Sequence, residues 1–257
     1  SAGAVAKVKY REKAARPQSI DRALLGRELS RFTASANYIL NCGMGILGLV
    51  IGAAALVWKG GSLLPMLEPV FADRPGALSV LLCAALCTLV GMNDMAAPSV
   101  SLEGKSLWLA QSLPVTSWQV LRAKLRMHLL LTAFPAALCG ICVTVVSPAG
   151  AAQTALALVV AALFTVLSAL LCLFLGLKMP NLHWTSEITP IKQGGAVALA
   201  LLGGVVYAAL LAAGFFLIGW RIGYMAFMAA FAVVTLASCV LLLRWLKTKG
   251  CTVFANL

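Results

Sequence analysis

Six apolar runs of membrane-spanning length divide this chain and decide its fold class. A helix needs about 20 consecutive apolar residues to cross the hydrocarbon core of a bilayer. The runs that reach this length cover residues 36–58, 76–96, 125–147, 153–177, 195–219 and 222–243. They lack the alternation of apolar and polar residues that marks the strands of a membrane β-barrel. The sequence therefore predicts an all-α polytopic membrane protein with six transmembrane helices.

Composition leads to the same class. The chain has 257 residues, of which 61% are hydrophobic and 11% are charged. A soluble core of this size cannot hide so much apolar surface, so lipid must solvate much of it.

The basic residues predict the topology. Of the 20 Lys and Arg residues, 17 lie before residue 36, within 97–126, within 178–194 or after residue 243. By the positive-inside rule these four segments, and thus both termini, are cytoplasmic. The net charge of +12 does not indicate nucleic acid, because no aromatic stacking residues accompany the basic cluster and anionic lipid accounts for it.

Residues 1–35 are predicted to form a cytoplasmic basic segment and an interfacial helix that precede the transmembrane domain at 36–257. From Ser19 onward, Leu25, Leu29 and Phe32 recur at helical spacing with charged residues on the other faces, a pattern typical of a helix lying along the bilayer surface. The alternative is a solvated charged tail with an extended first helix.

A polar insert follows the second run. Ser99 or Ser101 is suited to cap a helix, Glu103 would lie in its first turn, and Pro114 would end it. We therefore predict a helix of about three turns within 100–115. The ending Gly104-Lys105-Ser106 resembles a phosphate-binding loop, but the first glycine position is Ser99 and no β-strand precedes it, so we predict no nucleotide site.

Two further features concern contacts between segments. Glu187 and Lys192, in the polar 178–194 loop, are predicted either to pair with the insert or a partner, or to cap the fifth span. Gly45, Gly48 and Gly52 form a small-residue stripe on the first span, which predicts a helix-packing face. Its neighbour is either a helix of the same bundle or a second subunit.

No catalytic or metal-binding pattern was found. The chain has no His-Glu-x-x-His, no Gly-x-Ser-x-Gly and no pair of carboxylates that a helix would bring together. Cys139-x-x-Cys142 has no second pair or His cluster to complete a zinc site. The sequence thus predicts no catalytic residue, no metal ligand and no cofactor bound by this chain.

Several motifs together resemble one family. They are Ser-Leu-Glu-Gly-Lys-x-Leu-Trp at 101–108, Ser-Leu-Pro-Val at 112–115, Lys124, Trp184-Thr-Ser-Glu187, Ile191-Lys-Gln193, and Arg27-Glu-Leu-Ser-Arg-Phe32 leading to Tyr38 and Asn41. In this combination the chain, from about residue 27 to its end, resembles permeases of a bacterial ABC exporter family of the ABC-2 type. Members often contain two fused halves, and this chain resembles one half, most closely the C-terminal one.

The resemblance implies a function and its partners. The insert would be a coupling helix that binds a separate ABC ATPase subunit, which holds the ATP and Mg²⁺, and a second permease half, identical or different, would complete the pathway. The implied location is the bacterial inner membrane. The residues expected to contact the ATPase or support that contact are Glu103, Gly104, Lys105, Trp108, Leu109, Leu113, Glu187 and Lys192.

Within that set, Glu103 and Lys105 are hypothesised to make polar contacts with the ATPase, while Trp108, Leu109 and Leu113 hold the helix against the bundle and the partner. An amphipathic helix that rests on the membrane and binds no partner is the alternative. For the whole chain, the competing function is a non-transporting membrane scaffold or immunity-type subunit. A channel is a third possibility, but no span carries the charges of an ion path.

Overall fold

The computed structural model describes residues 18–147 and 149–257, and these residues form helices and turns without a β-strand. The helices are α1 (Ile20–Ala34), α2 (Ala36–Cys42), α3 (Met44–Ala55), α4 (Gly61–Leu67), α5 (Ala77–Gly91), α6 (Leu107–Ser112), α7 (Ser117–Val146), α8 (Ala151–Lys178), α9 (Ile188–Lys192), α10 (Gly195–Gly214), α11 (Trp220–Ile222), α12 (Tyr224–Trp245) and α13 (Cys251–Ala255). The predicted all-α class is confirmed. The basic segment Ser1–Arg16 lies outside the described residues.

Within the described residues, five helical stretches are long and apolar enough to cross a membrane. They are Met44–Phe71, Ser117–Val146, Ala151–Lys178, Ile188–Ile222 and Tyr224–Ala255. Short π-helical turns continue three of them without a break, at Leu56–Gly60, Phe215–Gly219 and Leu246–Gly250. The predicted multi-pass membrane character is thereby confirmed for five of the six runs.

The second run behaves differently. Its helix, α5, has 15 residues, a length of about 22 Å at 1.5 Å per residue. It packs against α3, α8 and α10, and Gly91 lets α10 approach so closely that a Cβ on it would lie 3.0 Å from the Cα of Gly204. The centre of the bundle is therefore built around this short helix.

After α5 the chain stays inside the protein rather than turning out to solvent. Residues 93–100 are all buried. Their backbone groups find partners on other elements: the Asp94 N–H donates to the Cys42 carbonyl at 3.2 Å, and the Ala96 N–H donates to His128 Nδ1 at 3.3 Å. The Asp94 side chain is fully buried, because α2, α7 and α8 cover this turn.

Helix α1 packs on the first turns of α7. Leu24, Glu28 and Phe32 form its buried face. A helix therefore follows Ser19 as predicted, and its position along the bilayer surface stays a prediction. Asp21 holds the start of α1 to α7 by pairing with Arg122 and, at 3.6 Å, with Arg126.

Tryptophan and basic residues mark both ends of the bundle. At one end Lys59 lies 5.4 Å from the ring centroid of Trp58, and Arg221 lies 5.5 Å from that of Trp220. Lysines contact tryptophans of α7 and α12 at the opposite end. Tryptophan collects at membrane–water interfaces in this way. The two ends thus bracket the apolar part of the bundle.

Candidate functional site

The insert between α5 and α7 is two short pieces, not one helix. A 3₁₀ turn covers Ser101–Ser106, and α6 follows at Leu107–Ser112. Gly104, within the Ser101–Ser106 turn, breaks the helical path with φ +49° and ψ −132°, a backbone conformation that an L side chain rarely adopts. The prediction of a continuous three-turn helix is therefore wrong, and Gly104 is the reason.

Glu103 lies at the centre of a buried ion cluster. Its carboxylate accepts hydrogen bonds from Lys124 Nζ at 2.7 Å, from Arg27 Nη2 at 2.5 Å and from Arg31 Nη2 at 2.9 Å. The residue is 3% exposed. The hypothesis that Glu103 reaches out to a partner does not fit this geometry. The side chain of Lys105, the other predicted polar contact, lies outside the described part of the structure.

Lys124 is the cation at the bottom of this cluster, and it is fully buried. Besides Glu103, its ammonium group donates to the Glu28 carboxylate at 3.0 Å and to the Ser99 carbonyl at 3.0 Å. An ammonium group has three N–H donors, so every one has an acceptor. This cluster, defined as Arg27, Glu28, Arg31, Glu103 and Lys124, joins α1, the insert and α7.

The charges of the cluster stabilise its carboxylates. Burial alone would raise the pKa of Glu103, but the Lys124 and Arg31 charges and hydrogen bonds outweigh it and hold that pKa well below its usual range. Glu103 is therefore ionised at neutral pH. Removing one partner of a buried, hydrogen-bonded ion pair is strongly destabilising, because the remaining charge is left buried without its partner.

A second contact brings the 178–194 loop onto the insert. Trp184 Nε1 donates to the Ser101 carbonyl at 2.6 Å, and the Asn181 N–H donates to Ser101 Oγ at 3.0 Å. The Trp184 ring also covers Gly104, where a Cβ would lie 3.1 Å from it. The two segments predicted to be cytoplasmic therefore lie at the same end of the bundle.

Neither Glu187 nor Lys192 pairs with a side chain of the insert that the structure describes, which leaves out that of Lys105. Glu187 is exposed and accepts a 3.4 Å hydrogen bond from Ser35 Oγ, and Lys192 is an exposed residue at the end of α9. Glu187 directly precedes α9 but makes no side-chain capping bond there. The predicted contact of Glu187 and Lys192 with a partner subunit stays a prediction.

The outer face of α6 is apolar and exposed. Trp108 is 67% exposed, Leu109 48% and Leu113 37%, whereas Leu107 and Ala110 are buried against the bundle. The hypothesis that Trp108, Leu109 and Leu113 hold the helix against its own bundle is wrong, since the neighbouring positions do so. Gln111 Nε2 donates to the Phe254 carbonyl of α13 at 3.0 Å, which fixes α6 from the other side.

The glycine stripe of the first span faces its own bundle. A Cβ on Gly45 would lie 2.3 Å from the Leu89 carbonyl oxygen, one on Gly48 3.0 Å from Leu89 Cδ2, and one on Gly52 3.4 Å from Leu89 Cδ1. The predicted packing face is confirmed, and its neighbour is α5 of the same chain.

Sequence reasoning missed that Lys124 pairs with both Glu28 and Glu103, although a signal was present. Glu28 falls at i+4 from Leu24 and i−4 from Phe32, so it interrupts the apolar face of an amphipathic helix. A carboxylate on a buried face needs a cation nearby. Lys124, similarly placed on the apolar face of α7, was the candidate.

Comparisons with protein-family models, with curated proteins and with solved structures found no match for this chain. The case for a function therefore depends on the geometry of the insert and on the motifs described above.

Proposed function

We propose that this chain is a six-helix permease half of an ABC-2-type exporter, whose coupling element is α6 with the turn before it. A separate ATPase subunit would bind α6 and hydrolyse ATP, and a second half would complete the pathway for a substrate still to be identified. In this proposal α5, with its buried turn, serves as the sixth membrane helix.

One observation carries the proposal: an exposed apolar helix is fixed to several parts of the bundle at once. Trp108 and Leu109 point outward, while the ion cluster, Trp184 and Phe254 hold the insert from behind. A displacement of α6 would therefore move α1, α7 and the 178–194 loop together. That is the mechanical requirement for coupling ATP hydrolysis in one subunit to a change of shape in another.

The outward residues have the chemistry of an interface centre. Tryptophan is among the residues that contribute most at such centres, and removing one commonly costs 2 kcal/mol or more. Glu103 is buried in the ion cluster and stabilises the insert there. The polar contacts first expected from it would therefore come from other residues around the edge of the ATPase interface.

The test is reconstitution with the ATPase subunit that copurifies with the wild-type chain in mild detergent. The variant Trp108→Ala/Leu109→Ala should bind the ATPase subunit with roughly thirtyfold lower affinity. It should also lose ATP-dependent efflux while remaining folded. The matched control is Trp58→Ala, which removes an 81% exposed tryptophan at the other end of the bundle. It should retain both activities.

Two results would count against the proposal. Equal affinity and efflux in both variants would remove the coupling role from α6. A partner that binds through Trp108 without any ATP-dependent efflux across a broad substrate panel would favour the membrane scaffold instead.

A further inference from the structure

A group of basic side chains at the α6 end of the bundle has no acidic partner. Lys178, Arg244, Lys247 and Lys249 are all exposed. Among residues 18–147 and 149–257, no carboxylate oxygen lies within 4.0 Å of them. The cations of the buried ion cluster, by contrast, are all paired. The stretch 188–257, which contains three of these four basic residues, has no acidic residue.

Two of these lysines lie over tryptophan rings. Lys178 Nζ, at the end of α8, is 5.2 Å from the ring centroid of Trp245 on α12, and Lys247 Nζ is 5.5 Å from that of Trp118 at the start of α7. Phe174 meets Trp245 edge-on at 4.7 Å and fixes its ring. We call Lys178, Trp245, Lys247 and Trp118 the lysine–tryptophan cluster.

The cluster joins the ends of three membrane-length helices at the level where tryptophan marks the bilayer surface. Lysine stems lie along apolar rings there while the ammonium groups reach toward water. Phosphate oxygens of lipid headgroups occupy that same depth, and each basic residue near an anionic membrane surface contributes about 1 kcal/mol of attraction.

We propose that the lysine–tryptophan cluster binds the phosphate headgroup of anionic phospholipids. An acidic protein surface offers similar charge, but the position at the ends of spanning helices, with lysine stems on tryptophan rings, favours lipid. The opposite end of the bundle is less suited, because Glu68 and Asp73 accompany its basic residues in the connection between α4 and α5. The proposal stands whether or not the chain is a permease.

The experiment compares lipid binding to the full chain purified in neutral detergent. Native mass spectrometry would count bound phosphatidylglycerol and phosphatidylcholine from an equimolar mixture. Lys178→Gln/Lys247→Gln should lower the preference for phosphatidylglycerol by roughly fivefold for each lysine removed. The control, Lys59→Gln/Arg221→Gln, removes two lysine or arginine charges from the other end and should keep the preference. Thermal unfolding of each variant checks its fold.

A third variant and a competitor complete the design. Trp245→Leu keeps both lysines and should still weaken phosphatidylglycerol binding, because the ring that positions Lys178 is gone. In the competition experiment, excess inorganic phosphate or excess phosphatidylglycerol is added to the lipid-bound protein. If phosphate displaces the bound lipid as effectively as phosphatidylglycerol does, the ligand is a soluble anion and the lipid assignment fails. The lipid assignment fails equally if both charge variants lose the preference alike, or if neither loses it.

Discussion

Glu103 and Lys124 form an ion pair of 2.7 Å that is almost closed to solvent, with side-chain exposures of 1% and 0%. The pair joins the insert to α7, and Glu28 extends it to α1. A single buried ammonium group therefore holds together three segments that sequence analysis treated as separate.

Replacing Lys124 with Met should destabilise the protein severely. The change keeps most of the side-chain volume but removes the fully buried cation that Glu28 and Glu103 share, and breaking a buried ion pair typically costs about 3–5 kcal/mol. Thermal unfolding in detergent, followed by fluorescence-detected size-exclusion chromatography, would measure it. Arg126→Met is the control: Arg126 is 43% exposed and 3.6 Å from Asp21, so its loss should cost about 1 kcal/mol or less. Similar decreases in stability for the two variants would show that burial does not determine how much an ion pair contributes here.

The Glu103 carboxylate predicts a particular dependence on pH. Its pKa is depressed in the folded state, so its stabilising effect is fully present above the unfolded value of about 4.3 and is lost as the pH falls further through the folded pKa. The difference in melting temperature between wild type and Glu103→Gln should be constant from about pH 6 to 8 and should shrink below about pH 4. A difference that grows on acidification would contradict the assignment.

Two glycine substitutions should act in opposite directions. Gly104→Ala places a Cβ on a residue with φ +49°, close to Trp184, and should cost about 1–2 kcal/mol. Gly26→Ala lies within α1 with nothing within 4 Å of the new Cβ and should stabilise by up to about 1 kcal/mol through helix propensity. Melting temperatures of the two variants provide the comparison, and two shifts of the same sign would be inconsistent with it.

The glycine stripe predicts graded effects along one helix. Gly45→Ala would bring a Cβ to 2.3 Å from a backbone carbonyl, whereas Gly52→Ala meets only the end of a leucine side chain at 3.4 Å. The first change should abolish the folded monodisperse protein, and the second should be close to neutral. Neither should alter the oligomeric state of whatever protein remains folded. Dissociation of a stable dimer by Gly52→Ala would instead locate a subunit interface on this face.

Orientation in the membrane can be tested by cysteine labelling. In a background without native cysteines, single cysteines at Gln18, Ser106 and Thr185 should resist membrane-impermeant thiol reagents in intact cells, and one at Ser62 should react. The expectation follows from the positive-inside rule. The contact between Trp184 and Ser101 requires in addition that Ser106 and Thr185 behave alike. Labelling of Ser106 from outside would reverse the whole topology.

The sequence predicted the helical fold because apolar runs of membrane length leave few alternatives. The second run, 76–96, was predicted as one helix, but α5 ends at Gly91. The run includes residues 93–96, which are buried but belong to an irregular turn. Hydropathy reports burial, and burial does not distinguish a helix from a turn whose backbone partners come from other elements.

The candidate site was predicted in outline and misread in detail. The insert was identified by its polarity, but the direction of each side chain depends on contacts distant in sequence. Glu103 was expected outside and is inside, because Arg27, Arg31 and Lys124 converge on it. Trp108 faces outward because Gly104 reorients the chain before α6. Neither fact follows from spacing along a regular helix.

The contacts of the insert also set an order for its assembly during synthesis. Arg27, Glu28, Glu103 and Lys124 all precede α8, so the ion cluster can form once the first half of the chain has been made, and N-terminal parts generally fold first. Gln111 must wait for Phe254, which lies 143 residues further along the chain. The helix that presents Trp108 is therefore anchored early on one side, and on the other side only after α13 has been made.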